Sequence, residues 1–399
     1  MSVLAKCGDF TSAKEAASRG YYPYFVAFEE SDGTVARLDD REIVMAGSNN
    51  YLGLTRDPRV IAAGHAALET YGSSCTGSRL LNGNLKLHEQ LEEELAAFFG
   101  KPAALVYSTG YGANVGTIGA LLTRHDHVLL DREAHASALE GALVTRADMK
   151  TFAHNRTDDL IRRLQRMPAG GDRLVVVDGV YSMGGDLCPL PDIVEVCREF
   201  GAQLLVDDAH GAGVMGGGRG TCAQFDLTNE VDLITVTFSK SFASIGGAAI
   251  GDEDVIHYLR HHARSEVFSA SMTPASTATA LAALRIAGDE PWRARQALAN
   301  AAYVRAELVK LGYPVGDSSS PIVPVHLSNE IETVVLWRLL LDLGVYVNAV
   351  VPPAASCRLR VSFTASHTRE HLDKVISAFS AAQELLPGVI SPETRESAA

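Results

Sequence analysis

The sequence predicts an α/β protein, with a mostly parallel central sheet in a large domain and a smaller α+β domain at the C-terminal end. One observation is that near-continuous Val, Leu and Ile runs alternate with helical patterns up to about residue 288, as in a sheet that helices cover on both faces. Another is a clear helical period, with Leu87, Leu91 and Leu95 on one face before Gly100, a residue type that commonly ends helices.

The strands of the large domain are predicted from short runs rich in β-branched residues. In chain order these candidates are Ala104–Tyr107, Val128–Asp131, Leu174–Asp178, Leu204–Asp207 and Leu233–Thr237. Ligands of open α/β sheets bind outside the carboxyl ends of such strands. The residues that follow these runs are therefore the first candidates for ligand-binding or catalytic roles.

A domain boundary is predicted near 288–291, where Gly and Pro interrupt the pattern. A helical stretch over 293–311 and short strands near 322–327 and 358–363 come after it. The predicted division is an N-terminal arm over 1–46, a large domain over 47–288 and a small α+β domain over 289–399.

Composition and charge narrow the classes of function. The chain has 399 residues, 47% of them apolar and 21% charged, which is typical of a globular protein. Its net charge of −13 argues against nucleic acid and anionic membrane surfaces as partners. The longest apolar stretch, 334–351, contains Arg338 and Asp342, so it predicts a helix followed by a strand and no integral membrane segment.

The sequence also gives expectations about the cellular location of the protein and about metal binding. Six cysteines are scattered without regular spacing, which favours reduced thiols and a cytoplasmic protein. The first residues lack the apolar core of a signal peptide. No metal site is expected, because the pairs His125/His127 and His261/His262 lack companion ligands at zinc-like spacing.

Lys240 is the residue that most strongly indicates a catalytic site. It follows the apolar run 233–236 and precedes Gly246 and Gly247, a pattern that fits a strand delivering an amine into a site. Asp207 ends another strand candidate. An amine for a Schiff base and an anion for a pyridinium nitrogen are what pyridoxal 5'-phosphate (PLP) requires. A solvated surface lysine is the ordinary alternative.

A phosphate site is indicated at 108–114, a glycine-containing turn between a strand candidate and a helical pattern. Free amides at a helix N-terminus bind anions, and glycine lets a phosphate approach closely. Gly110 and Tyr111 are the candidates there. The alternative is an ordinary turn that Ser108 or Thr109 caps.

Two more loops follow strand candidates. An imidazole at His135 would stack on a cofactor ring, and a hydroxyl at Ser182 would donate a hydrogen bond to a cofactor oxygen. A solvent-facing loop histidine and simple turn chemistry in the glycine-rich loop 182–185 are the alternatives.

The main rival enzyme class comes from the stretch 211–216, which matches G-x-G-x-x-G and suggests a nicotinamide or flavin site. In that fingerprint the strand runs directly into the glycines. Here the segment from Asp207 to His210 intervenes, and the acidic pair Asp207 and Asp208 would repel a pyrophosphate. The position therefore argues against a dinucleotide site.

A candidate substrate contact lies near the C-terminal end. Arg358 and Arg360 alternate with apolar residues and share one face of a predicted strand. A guanidinium held on a strand can clamp a substrate carboxylate with two hydrogen bonds. A pair of edge-strand charges is the alternative, and we favour it for Arg358.

Taken together, these segments resemble the α-oxoamine synthase family of fold-type I PLP-dependent transferases. The resemblance covers most of the chain, from about Asn49 to His367, and the motifs follow in the family's order. They are Ser-Thr-Gly-Tyr at 108–111, His135-Ala136-Ser137, Val180-Tyr181-Ser182-Met183, Asp207-Asp208-Ala209-His210, Thr237-Phe238-Ser239-Lys240 and Arg358-Leu359-Arg360.

The resemblance implies the catalytic residues. Lys240 carries PLP and then serves as acid and base. Asp207 pairs with the pyridinium nitrogen, His210 bonds the phenolic oxygen of the ring, and His135 stacks on the ring.

The resemblance also implies the other cofactor contacts and the assembly. Ser182 lies near the same phenolic oxygen, and Gly110, Tyr111 and Thr237 hold the phosphate. Family members are homodimers, and the segment 268–271, with Ser271, is the one lent across the interface to the partner's cofactor.

The implied reaction is the decarboxylative condensation of an amino acid with an acyl thioester, giving an α-amino ketone. Asn49 and Arg360 are the implied contacts of the substrate carboxylate. The acyl group arrives on coenzyme A or on an acyl carrier protein. Two departures from the family, Asp208 where many members have Glu and Thr273 where a second Pro is common, are expected to bear only on the acyl channel.

Within the family, 77–83, 237–241 and 345–354 resemble bacterial serine palmitoyltransferase, whereas 207–216 are more similar to 8-amino-7-oxononanoate synthase. We favour the first, which makes sphingolipids, over the second, which joins L-alanine to a pimeloyl thioester for biotin-like biosynthesis. The remaining alternatives are 2-amino-3-ketobutyrate CoA ligase, an aminotransferase, and a catalytically dead partner subunit, which would be expected to lack Lys240.

Overall fold

The computed structural model describes residues 3–168 and 170–386. The strands are β1 Glu30–Ser31, β2 Val35–Leu38, β3 Arg41–Met45, β4 Ala103–Tyr107, β5 His127–Asp131, β6 Asp148–Phe152, β7 Arg173–Asp178, β8 Gln203–Asp207, β9 Leu233–Thr237, β10 Gly247–Gly251, β11 Ile322–His326, β12 Val345–Tyr346, β13 Asn348–Val350 and β14 Arg358–Ser362.

The helices alternate with these strands through the middle of the chain. They are α1 Ala5–Asp9, α2 Ser12–Ser18, α3 Pro58–Tyr71, α4 Lys86–Phe99, α5 Gly110–Leu121, α6 Ala136–Thr145, α7 Thr157–Gln165, α8 Leu190–Phe200, α9 Thr221–Gln224, α10 Glu253–His262, α11 Arg264–Val267, α12 Pro274–Asp289, α13 Trp292–Lys310, α14 Glu330–Asp342 and α15 Arg369–Leu385. None of these described helices is both long and apolar enough to cross a membrane.

The larger of two compact units comprises Asn49–Ala299 and Thr364–Ser366. Its seven-stranded sheet has the order β4-β10-β9-β8-β7-β5-β6. Strands β6, β5, β7, β8 and β9 are parallel, and only β10 runs antiparallel to its neighbours. The predicted mostly parallel α/β sheet is therefore confirmed.

Both faces of this sheet are buried, as its apolar strands require. Along β7, Val175 and Val177 belong to one apolar cluster, while Leu174 and Val176 belong to another. Side chains alternate between the two faces of a strand, so the two clusters lie on opposite faces. All five strands predicted for the large domain are confirmed to within one residue at each end.

Two strands of the large sheet, β6 and β10, were not predicted from the sequence. β6 is an edge strand whose residues Lys150 and Thr151 are exposed, so its sequence lacks an apolar run. β10 consists mainly of glycine and alanine. A Cβ on Gly247 would lie 2.5 Å from the Cα of Gly110, so this close approach of β10 to the start of α5 requires a glycine.

The smaller unit contains Asn300–Phe363, together with the described residues up to Ser48 and from His367 onward. Strands β1, β2, β3 and β12 form one sheet, in which β12 pairs in parallel with β3. The N-terminal strands therefore share a sheet with a strand from near the C-terminal end. The predicted division at residues 46 and 288 stays a prediction, and 387–399 of its last domain lie outside the described residues.

The second sheet of the smaller unit has the order β11-β14-β13, with both pairs antiparallel. β14 is therefore the central strand, and Arg358 on it is 6% exposed. Its Nε donates to the main-chain oxygen of Ser356 at 3.1 Å. The expectation that Arg358 is an edge-strand charge is wrong, because strand pairing on both sides of β14 buries that residue.

Candidate active site

A cavity of about 300 Å³ opens in the larger unit at the carboxyl ends of its parallel strands. Five loops supply its walls, which is the arrangement expected of an open α/β sheet. The lining residues are Thr109, Gly110, Tyr111, Asn114, His135, Ser137, Asp178, Val180, Ser182, Asp207, Ala209, His210, Val236, Thr237, Ser239, Lys240, Ile245 and Gly246.

Most of the residues chosen from the sequence meet in this cavity. Those that line it are Gly110, Tyr111, His135, Ser182, Asp207, His210, Thr237 and Lys240. Asn49 is linked to His210 by hydrogen bonds, because the hydroxyl of Tyr51 contacts both side chains. Ser271 is not a lining residue, and its hydroxyl donates to the main-chain oxygen of Gly77 at 2.9 Å. Arg360 belongs to β14 of the smaller unit and is 4% exposed.

The carboxylate of Asp207 is held at the end of β8 by two donors. Asn114 Nδ2 donates to its Oδ2 at 2.6 Å, and the backbone amide of Ala209 donates to its Oδ1 at 3.1 Å. Asn114 Oδ1 accepts from Thr235 Oγ1 at 2.7 Å, which fixes the orientation of the Asn114 amide. Asp207 is 5% exposed, so this site presents a buried, oriented carboxylate.

A second hydrogen-bond chain orients His135. Asn114 Nδ2 also donates to Ser137 Oγ at 2.8 Å, and Ser137 Oγ lies 2.7 Å from His135 Nδ1. The backbone N–H of Ser137 donates to His135 Nδ1 at 3.3 Å. A nitrogen that accepts carries no proton, so the neutral ring of His135 has its proton on Nε2. Asn114 thus links the two predicted ring contacts, Asp207 and His135.

Asp178 is a second buried carboxyl group at the same edge of the sheet. It pairs in register with Asp207 across β7 and β8, and its Oδ1 accepts the backbone N–H of His135 at 3.2 Å. Burial raises the pKa of Asp178 well above its ordinary value, and the charge of Asp207 raises it further, whereas Lys240 acts in the opposite direction. Two adjacent buried carboxyl groups do not both ionise readily, so this surrounding favours the protonated form of Asp178.

His210 is tied to the start of the larger unit. The hydroxyl of Tyr51 lies 2.7 Å from His210 Nδ1 and donates to Asn49 Oδ1 at 3.2 Å. Fully buried Tyr51 therefore couples the positions of His210 and Asn49.

The opposite part of the cavity is built for an anion. Thr109 caps α5, and its side chain accepts the Gly112 N–H at 2.9 Å. A Cβ on Gly110 would lie 2.6 Å from Thr237 Cβ, so only glycine lets the first turn of α5 reach the end of β9. The α5 amides and the hydroxyls of Thr237 and Ser239, which lie 2.8 Å apart, together form a site that favours phosphate.

The structure shows the local surroundings of the two departures from the resembled family, and their expected bearing on the acyl channel stays a prediction. Asp208 is buried, and its carboxylate accepts hydrogen bonds from the Thr221 backbone N–H at 2.7 Å and hydroxyl at 2.6 Å. Thr273 caps α12 by accepting the Ser276 N–H at 3.3 Å. Both departures from the resembled family therefore have local structural partners in this chain.

Three residues of the site were not chosen from the sequence. Asn114 and Asp178 stood inside segments singled out for other residues, and Tyr51 stood two residues after Asn49, where the family resemblance begins. A polar side chain in the second turn of an otherwise small and apolar helix was the available signal for Asn114. Asp178 ends a strand just as Asp207 does, which was the available signal for that residue.

Comparison with known proteins identifies relatives of this chain. Residues 41–379 match the family described as aminotransferase class I and II. A serine palmitoyltransferase from Sphingobacterium spiritivorum is 43% identical over 371 residues, covering 92% of this chain and 93% of the relative. An 8-amino-7-oxononanoate synthase from Geobacter metallireducens is 42% identical over 357 residues, covering 88% of this chain and 91% of the relative.

The solved structures give the same result. The serine palmitoyltransferase of S. paucimobilis, solved with a bound adduct of PLP and myriocin, superposes with a TM-score of 0.94 at 35% identity, covering 97% of this chain and 100% of that one. The match of fold, sequence and motif order confirms the resemblance seen in the sequence. This chain belongs to the aminotransferase class I and II family, and within it to the α-oxoamine synthases.

Proposed function

We propose that this chain catalyses the PLP-dependent decarboxylative condensation of an amino acid with an acyl thioester, as a serine palmitoyltransferase. The observation that carries the proposal is the cavity itself, which brings Lys240 together with the buried, Asn114-bonded carboxylate of Asp207. The relatives named above support the choice of reaction.

The residues of the cavity fit PLP. A phosphate suits the α5 amides at Gly110 and Tyr111 and the hydroxyl of Thr237, where a Cβ on Gly110 would close the approach. A cationic ring nitrogen suits the carboxylate of Asp207. We propose that Lys240 holds the cofactor through its ε-amine.

The aromatic ring has proposed partners as well. His135, oriented by Ser137, would stack on the ring. His210 and Ser182 would donate to its phenolic oxygen. The apolar side chains of Val180 and Val236 complete the lining, which keeps bulk water from the ring.

PLP, when bound, supplies an electron sink for the charge that develops at the substrate Cα. Asp207 keeps the proton on the ring nitrogen, because an ionised partner raises the pKa of a cationic acid. Lys240 Nζ, once free, removes the Cα proton and later returns one. Such general acid–base catalysis contributes about 10²–10⁴-fold.

We propose Asn49 and Arg360 as contacts of the substrate carboxylate. Asn49 is coupled to His210 through Tyr51, and Arg360 is held on a central strand. A guanidinium can bind a carboxylate with two parallel hydrogen bonds, which would hold the amino acid in one orientation during proton transfer.

We further propose a homodimer in which Ser271 reaches the partner's cofactor. Large apolar side chains near this segment are exposed in the single chain, including Leu80, Leu81 and Phe268. An apolar side chain that is exposed in the single chain can be covered at an interface between two copies. The main-chain oxygen of Ala270 accepts from Ser108 Oγ at 2.5 Å, so the segment is anchored at the edge of the cavity.

The test is a substrate panel. The purified protein should show the visible absorbance of bound PLP, and L-serine with palmitoyl-CoA should release carbon dioxide and give the long-chain α-amino ketone by mass spectrometry. Presenting the same acyl group on an acyl carrier protein distinguishes the two thioester carriers. A protein that binds no PLP, or that forms no ketone with any amino acid and thioester of the panel, would refute the proposal.

An 8-amino-7-oxononanoate synthase is the second candidate, because the Geobacter metallireducens relative is almost as similar as the first. Turnover of L-alanine with a pimeloyl thioester in preference to L-serine with palmitoyl-CoA would favour it. Accumulation of a pyridoxamine form with amino acid and 2-oxo acid alone would instead indicate an aminotransferase.

We propose that the protein is cytoplasmic, because its cysteines form no disulfide bonds. Cys7, Cys75, Cys188, Cys197, Cys222 and Cys357 are all free thiols. Free thiols in so large a chain are typical of a reducing compartment. Fractionation of the native host, with detection of the protein by antibody, tests this expectation.

A further inference from the structure

His154 lies outside the cavity, between two carboxylates. Its Nδ1 is 2.9 Å from Asp131 Oδ1, and its Nε2 is 2.9 Å from Asp186 Oδ2. Ionised carboxylates only accept hydrogen bonds, so both ring nitrogens must donate and the ring is an imidazolium. Burial lowers the pKa of His154, but the hydrogen bonds to Asp131 and Asp186 outweigh burial and raise this pKa to about 10.

Asp131 belongs to the loop that delivers His135. It ends β5, its Oδ1 accepts the Glu133 N–H at 2.8 Å, and its main-chain oxygen accepts the Ala134 N–H at 3.0 Å. These bonds shape the turn whose next residue is His135, a lining residue of the cavity. The side chain of Asp131 is completely buried.

Asp186 belongs to the loop that delivers Ser182. Its main-chain oxygen accepts the Tyr181 N–H at 2.9 Å. The neighbours of Tyr181 on either side, Val180 and Ser182, both line the cavity. The two partners of His154 therefore sit in two different walls of the proposed PLP site.

Other contacts strengthen this junction. The His154 ring meets the Tyr181 ring at an interplanar angle of 89°, with centroids 4.4 Å apart. The Asn155 backbone N–H donates to Asp131 Oδ2 at 2.9 Å, and Asn155 Nδ2 donates to Asp186 Oδ2 at 2.8 Å. Glu133 is a third charged group near the ring, with Oε2 at 4.0 Å from Nε2.

We propose that His154, as a cation, is a positioning residue that locks the His135 loop and the Ser182 loop together. Two carboxylates that share one half-buried cation repel each other when the cation is removed, and the completely buried charge of Asp131 left without its partner is strongly unfavourable. Loss of the charge therefore separates the two loops. The consequence for catalysis rests on the proposed function, since the loops hold a cofactor only if the cavity binds PLP.

The first test compares His154→Gln with the double variant His154→Gln/Asp186→Asn. Glutamine keeps hydrogen-bond donors but not the charge, so His154→Gln should weaken PLP binding by about tenfold, the effect of losing one charge-assisted hydrogen bond. The double variant also removes the carboxylate left without its cation, and should recover most of that affinity. His65→Gln, at an exposed position of α3, is the matched control and should bind PLP like the wild type.

Unchanged PLP affinity in His154→Gln would overturn the proposal. So would a double variant whose loss is the sum of the two single losses, because independent packing effects add whereas a shared charge pair does not. The single variant Asp186→Asn completes this double-mutant cycle, together with the wild type, His154→Gln and the double variant.

The second test does not depend on PLP. In the cofactor-free protein, hydrogen exchange followed by mass spectrometry should be faster in His154→Gln within 132–137 and 180–187, and close to wild type elsewhere. A chain-wide increase would mean general destabilisation and would overturn a positioning role. If the wild type binds no PLP, the proposed function fails, while this exchange pattern still decides the role of His154.

The positive charge of His154 can be observed directly by NMR. In protein with ¹⁵N-labelled histidine, one imidazole should remain protonated on both nitrogens at about pH 8, where an unperturbed histidine is neutral. That signal should disappear in His154→Gln and persist in His65→Gln. Its absence from the wild type would overturn the proposal.

Discussion

Replacing Asn114 with alanine tests the core of the candidate site, because one side-chain amide joins three neighbouring groups there. It donates to Asp207 at 2.6 Å and to Ser137 at 2.8 Å, and it accepts from Thr235 at 2.7 Å. Asn114→Ala removes all three bonds inside a site where Asn114 is 2% exposed. We expect weaker PLP binding and slower proton transfer at the substrate Cα.

The size of the effect follows from the bond to the carboxylate. A hydrogen bond to a charged group contributes about 1.5–3 kcal/mol, so the dissociation constant of PLP should rise about 10- to 100-fold. Without the Asn114 donor the carboxylate of Asp207 is held less firmly in the orientation that faces the ring nitrogen, so α-proton exchange should slow as well.

Two measurements check this prediction. Titration of the cofactor-free protein with PLP gives the dissociation constant, and exchange of the L-serine α-proton with deuterium, without thioester, gives the proton-transfer rate. Asn300→Ala is the matched control, since Asn300 is 4% exposed and its amide donates to the main-chain oxygen of His367 at 3.2 Å. Equal PLP affinity in Asn114→Ala and Asn300→Ala would refute the reasoning.

Three other variants test separate parts of the structure. Lys240→Ala should abolish turnover and return the absorbance of bound PLP to that of the free aldehyde, because no amine remains to hold it; a spectrum like the wild type's would contradict the assignment. Burial raises the pKa of Asp208 to about 6 despite the hydrogen bonds from Thr221. Its contribution to stability is therefore full below its ordinary pKa of 3.8 and is lost as pH rises through about 6. Asp208→Asn should remove that fall of up to about 3 kcal/mol in urea unfolding, and an unchanged pH profile would argue against it. Leu81→Asp should give monomers in sedimentation, since Leu81 is 79% exposed in the single chain; an intact dimer would exclude that residue from the interface.

The strands that frame the site could be predicted because their signal is local. The central residues of β7 and β8, 174–177 and 204–206, are all apolar, since both faces of a central parallel strand are buried. β6 and β10 could not be predicted in this way. The first is an edge strand with exposed side chains, and the second depends on a close backbone approach to α5 that no periodicity encodes.

The candidate site was predicted in outline and not in its supporting contacts. Lys240, Asp207 and His135 each follow a strand, so their meeting at one edge of the sheet follows from parallel topology. The prediction for Arg358 failed because the alternation of charged and apolar residues does not tell an edge strand from the centre of a small sheet. Strand order is a property of pairing between distant segments.

The sequence by itself determined the order of strands and helices, the class of fold, and the position of Lys240 and Asp207 at strand ends, because periodicity and chain order are written in neighbouring residues. Only the tertiary structure decided which polar groups surround them. Asn114 reaches Asp207 across 93 positions of the chain, burial and then the charge of Asp207 raise the pKa of Asp178, and two loops place carboxylates against both nitrogens of His154. Hydrogen bonds and pKa values depend on distances through space, and folding alone sets those distances.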